Sequence, residues 1–369
     1  MEQRFDVLIL GAGIVGCACA WECARSGVEV GIVDASDAGG GATAAGMGHV
    51  VVMDDSPAQL ALTQYSRGLW GELVAELPDA VEYERRGTVW VAADDEEMQE
   101  VHAKSRTYAA AGIRTEILDE RGLREAEPNL RAGLAGGLLV PDDGVLYAPA
   151  AAAYFLERAM GCGAKTIAGT AVAIRDGGVR LEDGREVAAA RIVVATGADT
   201  SLLPWLPIQK RKGHLAITDR YPGFARHQLV ELGYLKSAHS ISADSVAFNI
   251  QPRRTGQMLI GSSRQYGDES AAVDARILRR MLERAQEYMP GLARLSAIRV
   301  WTGFRAATPD KLPLIGPAAG VYVAAGFEGL GITNAPGAAR LLADHLLGRG
   351  FAIDPAPYLP GRVQEMVHG

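Results

Sequence analysis

The sequence predicts an α/β fold carrying an inserted second domain, and three observations lead there. A β-α-β unit opens the chain. Strand-like runs of the kind buried on both faces recur at its beginning, middle and end. Between them lie segments that alternate polar and apolar residues as antiparallel strands do. One α/β domain assembled from separated segments, with a second domain inserted into it, accounts for all three.

Taken in order, Phe5 to Leu10 is a β-rich run that ends in Gly11-Ala12-Gly13-Ile14-Val15-Gly16. Small apolar residues continue at helical spacing to Arg25, Gly27 closes that helix, and Val28 to Val33 form a second strand ending at Asp34. A Gly/Ala-rich loop runs from Gly39 to Gly48. Ser56-Pro57 reads as an N-cap with proline at the first helical position, and Leu62, Tyr65, Leu69 and Leu73 mark one face of the helix that follows. Gly87 to Ala92 is a strand, and the acidic run from Asp94 starts a helix. Pro149 opens another helix that ends near Gly161-Gly163, residues 165–174 form a strand, and Arg191 to Ala198 is a buried strand with a glycine exit. Residues 213–265 alternate as antiparallel strands. Ile277, Met281, Ala285 and Tyr288 mark a helix that Pro290-Gly291 stops, Val321 to Gly326 is the last buried strand, and Pro336 opens the last helix. The expected boundaries place 1–80, 141–210 and 301–369 in the α/β domain and 81–140 and 211–300 in the inserted one.

Composition narrows the function. A net charge of -7 leaves no basic face for nucleic acid, and Lys210-Arg211-Lys212 is too short a run to supply one. Cys17, Cys19 and Cys23 cluster on the first helix and Cys162 stands alone, which is neither a disulfide framework nor a metal-ligand spacing. These read as small buried thiols, and no metal site is predicted. The first residues run straight into a strand without the layout of a signal peptide, and no apolar stretch is long enough to span a bilayer. A cytoplasmic protein is the expectation.

The chemistry starts at Gly11, Gly13 and Gly16. This G-x-G-x-x-G follows a strand and opens a helix, where the three glycines allow a tight turn, backbone approach to a pyrophosphate and close helix-strand packing. The helix N-terminus favours the phosphate charge. Asp34, at the end of the second strand, is placed to accept hydrogen bonds from ribose hydroxyls. Dinucleotide binding follows. A nicotinamide domain would continue as alternating strands and helices, whereas here the Gly39–Gly48 loop follows the second strand at once and can wrap a cofactor's phosphates and a flavin, so FAD is expected.

On these residues, and on Ala195-Thr196-Gly197, the stretch from Trp301 to Gly316 and the closing stretch Gly326-Phe327-Glu328-Gly329-Leu330-Gly331-Ile332-Thr333-Asn334-Ala335-Pro336-Gly337, the chain resembles the D-amino-acid oxidase superfamily of flavoenzymes. That superfamily includes glycine oxidase, sarcosine oxidase and D-hydroxyproline dehydrogenase. The resemblance covers nearly the whole chain. The closing stretch and Gln257 to Gln265 look most like the D-hydroxyproline dehydrogenase branch, which is itself similar to the flavin subunits of hydrogen cyanide synthase and opine oxidases. It implies a glutathione-reductase-type, Rossmann-like FAD-binding domain and an inserted substrate domain built on a large antiparallel sheet.

Carried over position by position, the resemblance places Ile14 and Val15 at the pyrophosphate, Asp34, Ala35 and Ser36 near the adenosine, and Ala42, Thr43, Gly46 and Met47 along the flavin. Ala195 and Gly197 join the cofactor set, and Val172 holds adenine through its backbone. Gly329, Leu330, Gly331, Ile332 and Thr333 aim backbone N–H groups at the flavin pyrimidine, where a helix N-terminus stabilises the negative charge of the reduced ring. Arg305 matches the arginine that pairs the substrate carboxylate, a role suited to its planar fork. His49 faces flavin or substrate, or is a structural histidine. Tyr234, Asn249, Gln251 and Arg264 fall on strands expected to line the pocket, without individual roles.

Departures from the resemblance carry information too. Gly303-Phe304-Arg305 offers no thiol to tether a flavin, so FAD is expected to be non-covalent. Leu259 stands where some relatives carry an oxygen-activating lysine, which favours a dehydrogenase. The second carboxylate-pairing arginine of glycine oxidases has no counterpart among Phe327, Glu328 and Gly329, which demotes glycine as substrate. The expected reaction is oxidation of a small amine or amino acid, D-hydroxyproline-like or D-proline-like first, by hydride transfer to the flavin to give an imine. Oxygen, a quinone and a partner protein stay open as electron acceptors, and both homo- and hetero-oligomers are compatible. The alternatives are a sarcosine- or glycine-type oxidase, a flavin-bearing relay subunit of a hetero-oligomeric amine or opine dehydrogenase, and an NAD-dependent dehydrogenase.

Overall fold

The computed structural model describes residues 4–233 and 244–363. Its contacts divide the chain into two compact units, Met1–Val81 with Tyr147–Lys210 and Phe304–Gly369, and Glu82–Leu146 with Arg211–Gly303.

The first unit is built on an eight-stranded sheet. Its centre is parallel: β1 (Arg4–Leu10) lies between β2 (Val30–Asp34) and Glu186–Val194, with Lys165–Ala168 beyond β2 and Val321–Ala325 beyond Glu186–Val194. Antiparallel additions follow at Leu314–Ala318, Ala171–Arg175 and Gly178–Leu181. β2, Val321–Ala325 and the C-terminal halves of β1 and Glu186–Val194 are buried and so read as continuous apolar runs, whereas Lys165–Ala168, the outermost parallel strand, is largely exposed. Helix α1 (Ile14–Ala24) packs against Ala148–Gly161 and Gly331–Leu347, and its small residues Cys17, Ala18, Cys19, Ala20 and Cys23 are what permit that density. The three thiols on α1 are buried as expected, whereas Cys162 is exposed.

Three readings need correction here. The expected strand 165–174 is two strands, Lys165–Ala168 and Ala171–Arg175, separated at Gly169, whose φ of 152° takes the chain out of ordinary strand geometry. Helix α3 (Pro57–Leu73) does start at the Ser56 N-cap, whose hydroxyl accepts the Gln59 N–H. Its buried residues, however, are Gln59, Leu60, Leu62, Thr63, Ser66 and Trp70, not Tyr65, Leu69 and Leu73. An apolar count overlooks this face because small polar residues occupy it. A Cβ on Gly337 would collide with Ser66 Oγ, so α3 and the closing helix meet where only small groups fit. The short α2 (Gly41–Ala45) lies within the Gly/Ala-rich loop.

The third correction concerns Pro336. The last helix spans Gly331–Leu347, so Pro336 sits inside it instead of opening it. Proline has no N–H, and the carbonyl four residues earlier, Ile332, loses its helical donor. The indole of the buried Trp70 supplies the replacement, with Nε1 3.1 Å from Ile332 O and 3.0 Å from Thr333 O.

The second unit holds most of another eight-stranded sheet, in the order Ala297–Ala307, Gln209–Thr218, Met258–Arg264, Ser245–Pro252, Gln228–Glu231, Thr88–Ala92, Gly136–Val140 and Glu116–Asp119; residues 304–307 and 209–210 of its first two strands belong to the first unit. Gln228–Glu231 pairs parallel with Thr88–Ala92, while its other neighbour, Ser245–Pro252, is antiparallel to it. One face is apolar: Val89, Val91, Leu229, Phe248, Ile250, Met258 and Ile260 share one core with Met281, Ala285 and Tyr288 of the helix Ala275–Tyr288, which packs on Ser245–Pro252 and Met258–Arg264. The ring of Phe248 stacks on that of Tyr288 at 4.5 Å.

Candidate functional site

The glycine fingerprint folds as its spacing requires. Gly11 N–H donates to Val33 O at 2.8 Å and Ala195 N–H to Leu10 O at 2.9 Å, which bring the turn after β1 against the ends of two neighbouring strands. Gly11 has φ 107°, and a Cβ there would press on the Ala195 carbonyl. A Cβ on Gly16 would collide with the Gly11 carbonyl oxygen. Gly13 differs from both. It is the N-cap of α1, has no side-chain cap, and a Cβ on it would meet nothing nearer than Thr43 Oγ1 at 3.4 Å. That opening is the space a pyrophosphate needs in front of a helix N-terminus.

The loops around the opening are tied to one another. Ile14 N–H donates to Thr43 Oγ1 at 3.1 Å, and Gly39 N–H to Ala12 O at 2.8 Å. Asp34 accepts the Ala12 N–H at 2.6 Å through Oδ2, and the Ser36 N–H and hydroxyl through Oδ1 at 2.8 and 2.9 Å. Its carboxylate therefore braces the glycine turn as well as closing β2. Cys17, beneath the turn, donates its thiol hydrogen to Ala12 O at 3.2 Å; burial, and then the charge of Asp34, push its pKa up to about 12, so the thiol stays protonated.

The closing segment belongs to the same unit and meets these loops. A Cβ on Gly46 would lie 3.0 Å from Ile332 Cδ1, and one on Gly331 would lie 4.0 Å from Val15 Cγ2. Thr333 is fully buried; its hydroxyl donates to His49 O at 2.9 Å and accepts the Val51 N–H at 3.3 Å. The His49 carbonyl is thereby tied to the closing helix. The closing helix has Leu330 as N-cap, without a side-chain cap and with no acidic residue in its first turn. Its first N–H groups, like those of α1, lack intrahelical acceptors. Arg305 is half-buried and lies along this segment, since a Cβ on Gly329 would be 3.7 Å from its Nε and 3.9 Å from its Cδ.

The structure thus gathers residues 11–16, 34–36, 42–47, 195–197, 329–333 and Arg305 within one unit. Val172 belongs to the same unit. It is 45% exposed, four residues beyond Ala168, the register partner of Asp34. Trp70, which sequence reasoning did not single out, holds the first turn of the closing helix. Its one signal in the sequence was a large aromatic opposite a helix containing proline.

In the second unit, Asn249, Gln251 and Arg264 are buried on Ser245–Pro252 and Met258–Arg264. Tyr234 lies outside the described residues. Asn249 Oδ1 and both amide atoms of Gln251 are buried without hydrogen-bond partners. Among the described residues, no group of His, Cys, Asp and Glu is arranged to hold a metal ion, and no helix is long and apolar enough to cross a membrane.

Two uncapped, acid-free helix N-termini, the gap in front of Gly13 and the contact of the 42–47 and 329–333 segments fit an extended dinucleotide with a flavin at one end. Residues 6–345 match the family described as FAD dependent oxidoreductase, DAO. The chain belongs to this family. A glycine oxidase of Geobacillus kaustophilus is 27% identical over 97% of this chain and 97% of its own length. The crystal structure of glycine oxidase from that organism superposes with a TM-score of 0.87, at 26% identity and covering 97% of this chain and 98% of the other. The hydrogen cyanide synthase subunit HcnC of Pseudomonas aeruginosa is 25% identical over 99% of this chain and 97% of its own. This member of the DAO family is an FAD-dependent oxidoreductase.

Proposed function

We propose that this DAO-family enzyme oxidises a carboxylate-bearing amine, D-proline-like or D-hydroxyproline-like compounds first, to the imine. The observation that carries the reading is Arg305 lying along Gly329, at the entrance to the uncapped closing helix. A guanidinium there is placed to pair both carboxylate oxygens of a substrate and to fix its α-carbon.

When bound, FAD supplies the hydride acceptor. The chain supplies binding, orientation and electrostatics. In this reading Val15 and Gly16 offer N–H groups to the pyrophosphate, while Thr43 restrains the turn through Ile14. Gly331, Ile332 and Thr333 present the helix N-terminus to the pyrimidine end of the flavin. Arg305 holds the carboxylate. Asp34, Ala35 and Ser36 flank the adenosine, and Val172 holds the adenine through its backbone. His49 serves through the carbonyl that anchors Thr333. The flavin is held without a covalent bond, because 303–305 carries no thiol.

A glycine-type oxidase is the second reading, favoured by the names of the relatives above. Membership of a hetero-oligomer is supported by the likeness to HcnC, itself named a subunit.

Anaerobic mixing of the holoenzyme with D-proline, D-hydroxyproline, other D-amino acids, sarcosine, opines and glycine tests the proposal. Bleaching of the flavin band is expected with D-proline-like compounds and weakly or not at all with glycine. Fastest bleaching by glycine would establish the second reading, and no bleaching by any of them would contradict both.

A further inference from the structure

We propose that Glu328 receives the substrate's amine: its carboxylate accepts a hydrogen bond from the ammonium group of the molecule whose carboxylate Arg305 holds, and takes up the proton that must leave before oxidation. The inference rests on the reading of Arg305 given above.

The first observation is conformational. Glu328 has φ 52°, in the left-handed region that a side chain disfavours and glycine adopts freely. Glu82, Lys311 and Ala319 share that conformation among the described residues, but of the four it is Glu328 that bridges to the residue after Arg305 and stands two residues before the N-cap of the closing helix. The segment is rich in glycine, and Gly326 occupies the same region with φ 77°. Glycine at 328 would remove the strain, so a glutamate held there points to a task for its carboxylate.

The second observation is positional. Glu328 N–H donates to Ala306 O at 2.9 Å, and the two residues form an isolated antiparallel bridge. Glu328 is thereby fixed against the residue that follows Arg305. The next residue, Gly329, is the one the Arg305 side chain lies along. Successive α-carbons are about 3.8 Å apart, so acid and guanidinium issue from neighbouring points, as the two charged ends of an α-amino acid do.

The chemistry is complementary. A carboxylate accepts and a guanidinium donates, so the pair matches the ammonium and carboxylate of a zwitterion. An ammonium nitrogen has no free electron pair to assist loss of hydride. In the proton step its N–H bond breaks, the pair stays on nitrogen as a lone pair, and an O–H bond forms on Glu328. Substrates with both groups on one carbon are favoured over simple amines and simple acids.

The test uses the FAD-loaded enzyme with D-proline as substrate and cyclopentanecarboxylate, which has the carboxylate but no amine, as competing ligand. Glu328→Gln keeps the size and removes the charge; Glu328→Gly removes the strain as well. For both variants, KM for D-proline should rise about tenfold or more, as for loss of a charge-assisted hydrogen bond, and the rise of kcat/KM with pH should move to higher pH. The inhibition constant of cyclopentanecarboxylate should not weaken. Glu328→Gly should also melt at a higher temperature than the parent, and glycine's preference for this conformation keeps that variant folded. Arg305→Leu should weaken both ligands. If Arg305→Leu does so while neither Glu328 variant changes KM or the pH profile, the assignment of Glu328 is overturned and that of Arg305 stands. If Arg305→Leu changes neither ligand, the underlying reading fails instead.

Discussion

Thr43 Oγ1 lies 3.1 Å from the backbone nitrogen of Ile14 and accepts its N–H across 29 residues. Of the first-turn donors of α1, this one is committed to the chain itself, and it sets the width of the gap in front of Gly13. Thr43→Val leaves the buried N–H without an acceptor, at a cost of about 1–3 kcal/mol. FAD affinity, measured by recovery of flavin fluorescence on dilution, should fall about tenfold or more, and Thr43→Ser should restore it. Equal affinity in Thr43→Val would show that the bond does not shape the cofactor loop.

The three fingerprint glycines should respond differently to alanine. At Gly16 the new methyl collides with the Gly11 carbonyl, which is rigid backbone, so Gly16→Ala should yield little folded, flavin-bearing protein. At Gly13 the methyl meets only Thr43 Oγ1 at 3.4 Å. Gly13→Ala should therefore fold with near-parental melting of the flavin-free protein while losing FAD affinity, because the space it fills belongs to the ligand. Circular dichroism and flavin content separate the two outcomes.

This contrast also shows what the sequence could reveal. Gly11, Gly13, Gly16 and Asp34 are legible because their spacing in the chain is their spacing in space, set by one strand, one turn and one helix. Thr43 was legible as a loop residue but not as the partner of Ile14, since that bond depends on where a loop 29 residues away returns. Asp34 was read for its outward face, while its grip on Ala12 needed the turn's geometry. The buried face of α3 stayed hidden because Thr63 and Ser66 are polar and pack by being small. Pro336 read as a helix start because proline in a helix interior is disfavoured; the indole that compensates for it is 266 positions away, at Trp70.

Trp70 yields a test by double-mutant cycle. Trp70→Phe removes the donor that serves Ile332 O, which Pro336 cannot serve, and should destabilise the protein by about 1–3 kcal/mol. In a Pro336→Ala background the helix regains its own N–H donor, so the same Trp70→Phe change should cost measurably less. Denaturant unfolding of the four proteins checks this; identical costs in both backgrounds would mean that the indole and the missing N–H are unrelated.

Asp310 and Arg362 pin the segment that follows Arg305. Arg362 Nε and Nη2 donate to Asp310 Oδ2 at 2.7 Å and Oδ1 at 3.1 Å, and its nitrogens also serve the carbonyls of Leu312, Pro313 and Leu359. Burial acts to raise the Asp310 pKa, but the hydrogen bonds and charge of Arg362 outweigh it, and the carboxyl is held below its ordinary value. A depressed folded pKa gives stabilisation that is complete above the unfolded value, about 3.9, and lost as pH falls through the folded one. Asp310→Asn should thus lower stability at neutral pH by about 1–3 kcal/mol, and the gap to the parent should close below about pH 4. A gap independent of pH would remove the ion pair as its cause.

Anaerobic flavin reduction with a matched pair of amines tests whether Arg305 holds a substrate carboxylate. D-proline and pyrrolidine differ by that carboxylate alone. Arg305→Leu should raise the concentration of D-proline needed for half-maximal reduction by about 100-fold, the loss of a bidentate charged pair, and should leave pyrrolidine unchanged. Unaltered D-proline kinetics in Arg305→Leu, or an equal loss for both amines, would contradict that role of Arg305.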